Sequence, residues 1–211
     1  METLSKAEKF WDRTSSYYDK AEKSDVSYMI FIEKVRKYLK ASDIVIDFGC
    51  GTGLVCNEIA KNVEFVYAID ISSKMIEIAV KKTSERKIQN IDFIHTTIFD
   101  ERFKTNSLDV ILVFNVLHLL EDSQKVIQRI NALLKPGCII ISATPCMGER
   151  PILNSLFSIG NKIGIMPKIN SFKFSELEHL FVKENFDIIE TGCLKQNSPQ
   201  YLLIAKKLKS Q

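Results

Sequence analysis

The segment Val45 to Val55 reads V-I-D-F-G-C-G-T-G-L-V, and it gathers residue types that a nucleoside-like ligand requires. Asp47 follows a short apolar run, and Gly49, Gly51 and Gly53 follow in alternation. Glycine lets a backbone turn sharply and approach a ligand closely. A helix that opens after such a turn presents unpaired N–H groups to the same space. A second apolar run, E-F-V-Y-A-I-D, ends in Asp70. It lies roughly 20 residues beyond the turn, where an acid can accept both hydroxyls of a ribose. Dinucleotides and S-adenosylmethionine both use this layout. The spacing separates them. A dinucleotide fingerprint is G-x-G-x-x-G, whereas the turn here is G-C-G-T-G, with Gly53 only two residues after Gly51. An acid just before the turn also suits a cationic amino group better than a pyrophosphate.

Other residues could do chemistry. His118 follows the fourth apolar run and is a candidate general base, because an imidazole titrates near neutrality; the alternative is a packed or solvated loop histidine. His95 alternates within a predicted strand and His179 sits on a predicted helix, and both read as structural. Trp11 either lines a substrate pocket or anchors an N-terminal helix. Cys50, Cys56, Cys138, Cys146 and Cys193 are odd in number, with no C-x-x-C pair. That argues against a disulfide framework and against a zinc site, and no metal is expected.

Strands and helices must position these groups. Lys6 to Lys40 reads as helical, with Ile30, Phe31, Val35, Tyr38 and Leu39 near helical spacing. Strands are expected at Ser42 to Phe48, Glu64 to Asp70, Ile91 to His95, Ser107 to Asn115 and Cys138 to Ala143. Between them, helices are expected from Gly53 to Asn62, from Ser72 (as cap) to about Arg86, and from Glu121 to Leu134. Met75, Ile76, Ala79 and Val80 form one face of the second, and Asp122 supports the first turn of the third. Lys135-Pro136-Gly137 reads as a break. Strand and helix thus alternate at βαβ spacing, which implies a parallel sheet with helices on both faces. The rhythm changes from Thr144 to Asn170, a stretch with three prolines and three glycines that reads as an inserted helix with irregular flanks. Ser175 then caps a helix to Glu184. Phe186 to Leu194 and Gln200 to Lys206 form a closing hairpin, which puts one antiparallel strand into the sheet.

Composition fits this picture. The chain has 211 residues, 45% hydrophobic and 26% charged, with a net charge of +3. That suits one soluble α/β domain. It gives no argument for a nucleic-acid or membrane-surface partner. No apolar run reaches the roughly 18 residues of a spanning helix. The polar start, Met1 to Lys9, lacks the apolar core of a signal peptide, so a cytoplasmic address is expected. The terminal Lys206, Lys207 and Lys209 read as a solvated tail.

With these residues in place, V-I-D-F-G-C-G-T-G resembles the first motif of class I S-adenosylmethionine-dependent methyltransferases. F-W-D-R-T-S-S-Y-Y-D (Phe10 to Asp19) resembles the opening segment of their small-molecule branch, the ubiquinone-biosynthesis-like or type 11 group. Y-A-I-D-I-S-S-K-M-I (Tyr67 to Ile76), N-S-L-D-V-I-L-V-F-N-V-L-H-L-L-E-D (Asn106 to Asp122) and L-L-K-P-G-C-I-I-I-S (Leu133 to Ser142) resemble the second-, fourth- and fifth-strand motifs. The likeness spans about residues 10 to 143.

The resemblance implies a Rossmann-like, doubly wound, mostly parallel seven-stranded sheet with one antiparallel strand. It implies one domain over 1–211. Residues 1–41 would form an N-terminal helical cap, 42–143 the cofactor-binding core, 144–174 a helical lid, and 175–211 the closing helix and two strands. Gly49, Cys50, Gly51 and Gly53 would shape the pocket for the methionine part of S-adenosyl-L-methionine, with Asp47 near its amino group and Tyr18 close by. Asp70 would hold the ribose hydroxyls. Ile71 would pack on the adenine, with Met75 and Ile98 among the cofactor residues. Asn115 would lie beside the sulfonium. Many relatives carry Gly-Asp after the third strand; here Thr96 and Thr97 stand there, and the Thr97 hydroxyl is the candidate substitute.

A sulfonium is a good leaving group, so such a protein must chiefly align its reactants and exclude water. The sparsely charged insert points to a small-molecule or lipid-like acceptor, with no nucleic-acid partner. Two alternatives are a methyltransferase acting on RNA or protein and a non-catalytic binder of the same cofactor. The oligomeric state is not legible.

Overall fold

A computed structural model describes residues 6–23, 26–150 and 169–209; within the first range it describes the side chains of 7–15. The chain divides into two compact units, Met1–Asp100 and Glu101–Gln211.

The first unit holds helices α1 (Lys6–Lys23), α2 (Val26–Tyr38), α3 (Leu54–Ile59) and α4 (Ser73–Glu85), and strands β1 (Ile44–Phe48), β2 (Phe65–Asp70) and β3 (Ile91–His95). A short 3-10 turn, Ala60–Asn62, continues α3. The strands pair in parallel, with Asp47 beside Ala68 and Asp70 beside His95. Val45, Ile46, Val66, Ala68 and Ile69 are fully buried, as expected of apolar runs covered on both faces.

Two expectations need correction here, and one gains detail: the helical stretch Lys6 to Lys40 is two helices, α1 and α2. The apolar stripe that suggested it belongs wholly to α2 and its end, where Phe31 and Val35 are fully buried. The helix expected from Gly53 starts at Leu54, because Gly53 has φ +79°, outside the helical region. On α4 the buried residues are Met75, Ala79 and Thr83, while Val80 is 48% exposed. Positions four apart lie on one face, and Val80 falls off that row. Ser72 caps α4 as expected, its hydroxyl accepting the Met75 N–H at 3.1 Å.

The second unit holds β4 (Leu108–Phe114), α5 (Ser123–Leu133), β5 (Leu134–Pro145), α6 (Phe174–Lys183), β6 (Phe186–Cys193) and β7 (Gln200–Lys207). β5 runs parallel to β4, and β7 runs antiparallel to both β5 and β6. The strand order is β3-β2-β1 in the first unit and β4-β5-β7-β6 in the second, seven strands in all.

Lys135-Pro136-Gly137 is not a break. Leu134 pairs with Leu108 and Ile139 with Val110, so the intervening residues bulge out within β5, with Gly137 at φ +82°. Lys135 Nζ lies 2.8 and 2.9 Å from the Asp109 carboxylate oxygens at this bulge. The helix expected from Glu121 starts at Ser123, because the Asp122 carboxylate accepts the Lys125 N–H at 2.9 Å and stands as its N-cap. Ser175 is not the cap of α6. That helix starts at Phe174, with Lys173 at the N-cap position and the Glu176 carboxylate accepting the Lys173 N–H at 2.8 Å. Residues 151–168, the greater part of the expected lid, lie outside the described residues. No helix of the described residues is long and apolar enough to cross a membrane.

Candidate cofactor site

Gly49, Gly51 and Gly53 stand at φ +72°, +53° and +79°, a region that residues with a Cβ rarely enter. The Gly49 and Cys50 N–H groups donate to the Ile69 carbonyl at 2.8 and 3.0 Å, which ties the turn to β2. A Cβ on Gly53 would also lie 3.0 Å from Asn57 Nδ2 and 3.1 Å from Ala79 Cβ. That glycine is therefore required for helix packing as well as for the turn. Cys50 is buried in the turn.

Asp47 is 1% exposed and accepts the Cys56 N–H at 3.1 Å. Burial pushes its carboxyl up to about 7, against hydrogen bonding from Cys56 and with a further rise from the charge of Asp70. A buried acid of this kind accommodates an added cation well, since a positive charge restores its ionised form.

Asp70 ends β2. Its Oδ2 accepts the Gly51 N–H at 2.9 Å and its Oδ1 the Ser72 N–H at 2.8 Å. One acid thus spans the glycine turn and the start of α4. Burial raises its pKa, and the bonds from Ser72 and Gly51 oppose the rise. Each carboxylate oxygen keeps a second lone pair, the acceptor set that two vicinal hydroxyls need. Ile71 is half-buried, Met75 and Ile98 are buried, and Thr97 is exposed. The Thr97 hydroxyl accepts the Phe99 N–H at 3.3 Å, while Thr96 donates to Asp100 Oδ2 at 2.8 Å. An acid three residues beyond Thr97 therefore returns a carboxylate to the loop after β3. No adjacent Gly-Asp pair announces it.

In the second unit Asn115 closes β4 at φ +59°, its N–H donating to the Ala143 carbonyl at 2.9 Å. Its side-chain oxygen accepts from Gln200 Nε2 at 2.6 Å. Gln200 is a site candidate that sequence reasoning missed; only the β5–β7 pairing brings it there. His118 sits in a 3-10 turn (Leu117–Leu119), 9% exposed, and its Nδ1 has no partner among the described residues. The expectation of a near-neutral imidazole is overturned: burial lowers its pKa to about 4. The ring is uncharged at neutral pH and is a weak base. Tyr18 lies on α1, but its side chain is outside the described residues. Among the described residues no cluster of His, Cys, Asp and Glu suits a metal ion.

The strand order, the single reversed strand and an acid closing β2 beside a glycine turn define the class I methyltransferase architecture. The methyltransferase-domain family model matches residues 39–166, and the chain belongs to that family, whose methyl donor is S-adenosyl-L-methionine. A demethylmenaquinone methyltransferase of Listeria monocytogenes is 24% identical over 180 residues, covering 79% of this chain and 73% of its own. An uncharacterized protein of Methanocaldococcus jannaschii is 27% identical over 215 residues, covering 90% and 80%. Among solved structures, magnesium protoporphyrin IX methyltransferase from Synechocystis, with bound SAH, superposes with a TM-score of 0.74 at 16% identity, over 95% of this chain and 97% of that one. That likeness shows the fold.

Proposed function

We propose that this protein transfers the methyl group of S-adenosyl-L-methionine to a small-molecule or lipid-like acceptor by in-line displacement. The observation that carries the reading is Asp70, which bridges the Gly51 and Ser72 N–H groups with lone pairs left for a diol. The relatives named for menaquinone and magnesium protoporphyrin chemistry support an acceptor of that size and apolarity. The family model crosses from the first unit into the second, which supports one methyltransferase domain over 1–211.

When bound, the cofactor supplies an electrophilic methyl carbon on a sulfonium. In this reading Asp70 holds the ribose hydroxyls and Ile71, Met75, Thr97 and Ile98 enclose the adenine. Gly49, Cys50, Gly51 and Gly53 admit the methionine part to close backbone approach, with Tyr18 beside it and Asp47 supplying the counter-charge to its ammonium. Asn115, held by Gln200, stands at the sulfonium end. His118, uncharged, orients the acceptor by hydrogen bonding rather than by taking its proton.

Calorimetry with S-adenosylhomocysteine tests the cradle. The native chain should bind, and Asp70→Ala should bind at least about tenfold more weakly, the scale of a lost hydrogen bond to a charged group. Equal binding by both removes Asp70 from the site. Mass spectrometry of products formed from isotopically labelled cofactor and cell extract then identifies the acceptor; label recovered only in RNA or protein would overturn the small-molecule reading.

A further inference from the structure

The first unit holds an open cleft at the end of the sheet where β2 and β3 begin, opposite the glycine turn. It lies between the 3-10 turn that continues α3 and the loop from α4 to β3, and it encloses about 530 Å³. That is the size of a small-ligand site. Two tethers fix its walls. Asn90 Nδ2 donates to the Ala60 and Val63 carbonyls at 2.8 and 3.2 Å, and the Thr83 hydroxyl donates to Asn57 Oδ1 at 2.7 Å. The charge in the cleft is unbalanced. Glu58, the one acid among its lining residues, is already matched twice, by Arg36 Nη2 at 3.0 Å and Arg86 Nη2 at 2.9 Å. Lys61 and Lys87 line the same cleft, are exposed, and have no carboxylate partner among the described residues. The carbonyls that end α4 do not occupy these cations. Those of Lys82, Thr83 and Ser84 accept the backbone N–H groups of Arg86, Ile88 and Lys87 at 3.1, 3.2 and 3.0 Å.

We propose that this cleft binds a small anion carrying two phosphate groups, at a site separate from the cofactor cradle. A concave surface lined by one sign of charge draws in the opposite sign. Lys61 and Lys87 supply point charges for phosphate oxygens. Arg86 uses one nitrogen on Glu58 and keeps other N–H donors of its guanidinium for the ligand. Ala60 and the half-buried Ile88 offer an apolar surface to a carbon skeleton between the phosphates. The site stands on its own residues and does not depend on the cofactor reading.

Calorimetry and amide-resolved NMR on the intact chain test it, with inorganic pyrophosphate and fructose bisphosphate as probes. At low salt the native chain should bind at least one probe with a Kd below about 1 mM. The amides of Lys61 and of Arg86 to Asn90 should shift, and a saturating level of S-adenosylhomocysteine should leave that binding unchanged. Tighter binding of the sugar bisphosphate assigns the site to an organic phosphate, and tighter binding of pyrophosphate to an inorganic one. Removing both lysines, by Lys61→Gln with Lys87→Gln, should weaken binding about tenfold. The urea midpoint should hold, because both side chains are exposed. Arg86→Gln should weaken binding in the same direction, with Glu58 still matched by Arg36. Lys81→Gln with Lys104→Gln removes the same charge outside the cleft and should bind as the native chain does. Absence of binding at millimolar probe, an equal loss in the Lys81 and Lys104 pair, or displacement by S-adenosylhomocysteine would overturn the site.

Discussion

Asp47 is a buried carboxyl in the glycine-turn site, held out of its ordinary range. Its carboxyl is raised from 3.8 to about 7 because burial removes water from the charged form. The unfolded chain ionises this acid at its ordinary value. The stability Asp47 contributes is therefore complete below about pH 4 and lost as pH rises through about 7. Asp47→Asn should accordingly be more stable than the native chain near pH 8, with the difference closing in acid; denaturant titrations across that range measure it. A bound ammonium reverses the preference, so S-adenosylhomocysteine should bind the native chain about tenfold more weakly near pH 6 than near pH 8. Asp47→Asn should show weak binding without that slope. His118 gives a second residue-scale expectation. With its pKa lowered to about 4, the pH–rate profile of methyl transfer should show no ionisation near the ordinary imidazole value that disappears in His118→Gln.

At the scale of elements, the glycine turn works only because its neighbours hold α3 against α4. Gly53 leaves the room that Asn57 and Ala79 occupy. The buried Thr83 hydroxyl then donates to Asn57 Oδ1 at 2.7 Å, joining the two helices. Thr83→Val keeps the shape and removes the donor. It should cost about 1–3 kcal/mol, read as a lower urea midpoint with an unchanged slope. The start of α4 was legible in the residues themselves, since Ser72 is a good cap in front of an apolar period. The start of α6 was not. Ser175 is the better cap by type, yet Glu149 accepts the Phe174 N–H at 2.9 Å and Glu176 the Lys173 N–H, so the tertiary partner moved the boundary.

For the whole molecule, a ligand that binds only the folded chain must raise its unfolding temperature. At one hundred times its dissociation constant, S-adenosylhomocysteine should add about 2.7 kcal/mol, or about 5–10 °C for a chain of this size. Differential scanning calorimetry measures the shift, and its absence in Asp70→Ala would assign it to the cradle.

What the sequence by itself determined is the local grammar. Ile91–His95 is legible to the residue, the closing hairpin shows that one of the last strands runs antiparallel, and Gly49, Gly51, Gly53 and Asp70 stand out by type and spacing. These rest on signals carried within a few residues: apolar runs, caps and a spacing of glycines. Only the tertiary structure decided the rest. It turned Lys135-Pro136-Gly137 from a break into a bulge, because a strand end is defined by what pairs beside it. It brought Gln200 to Asn115 across 85 positions of chain. It also made His118 a weak base. Burial and long-range pairing are properties of the packed chain, and no window of sequence contains them.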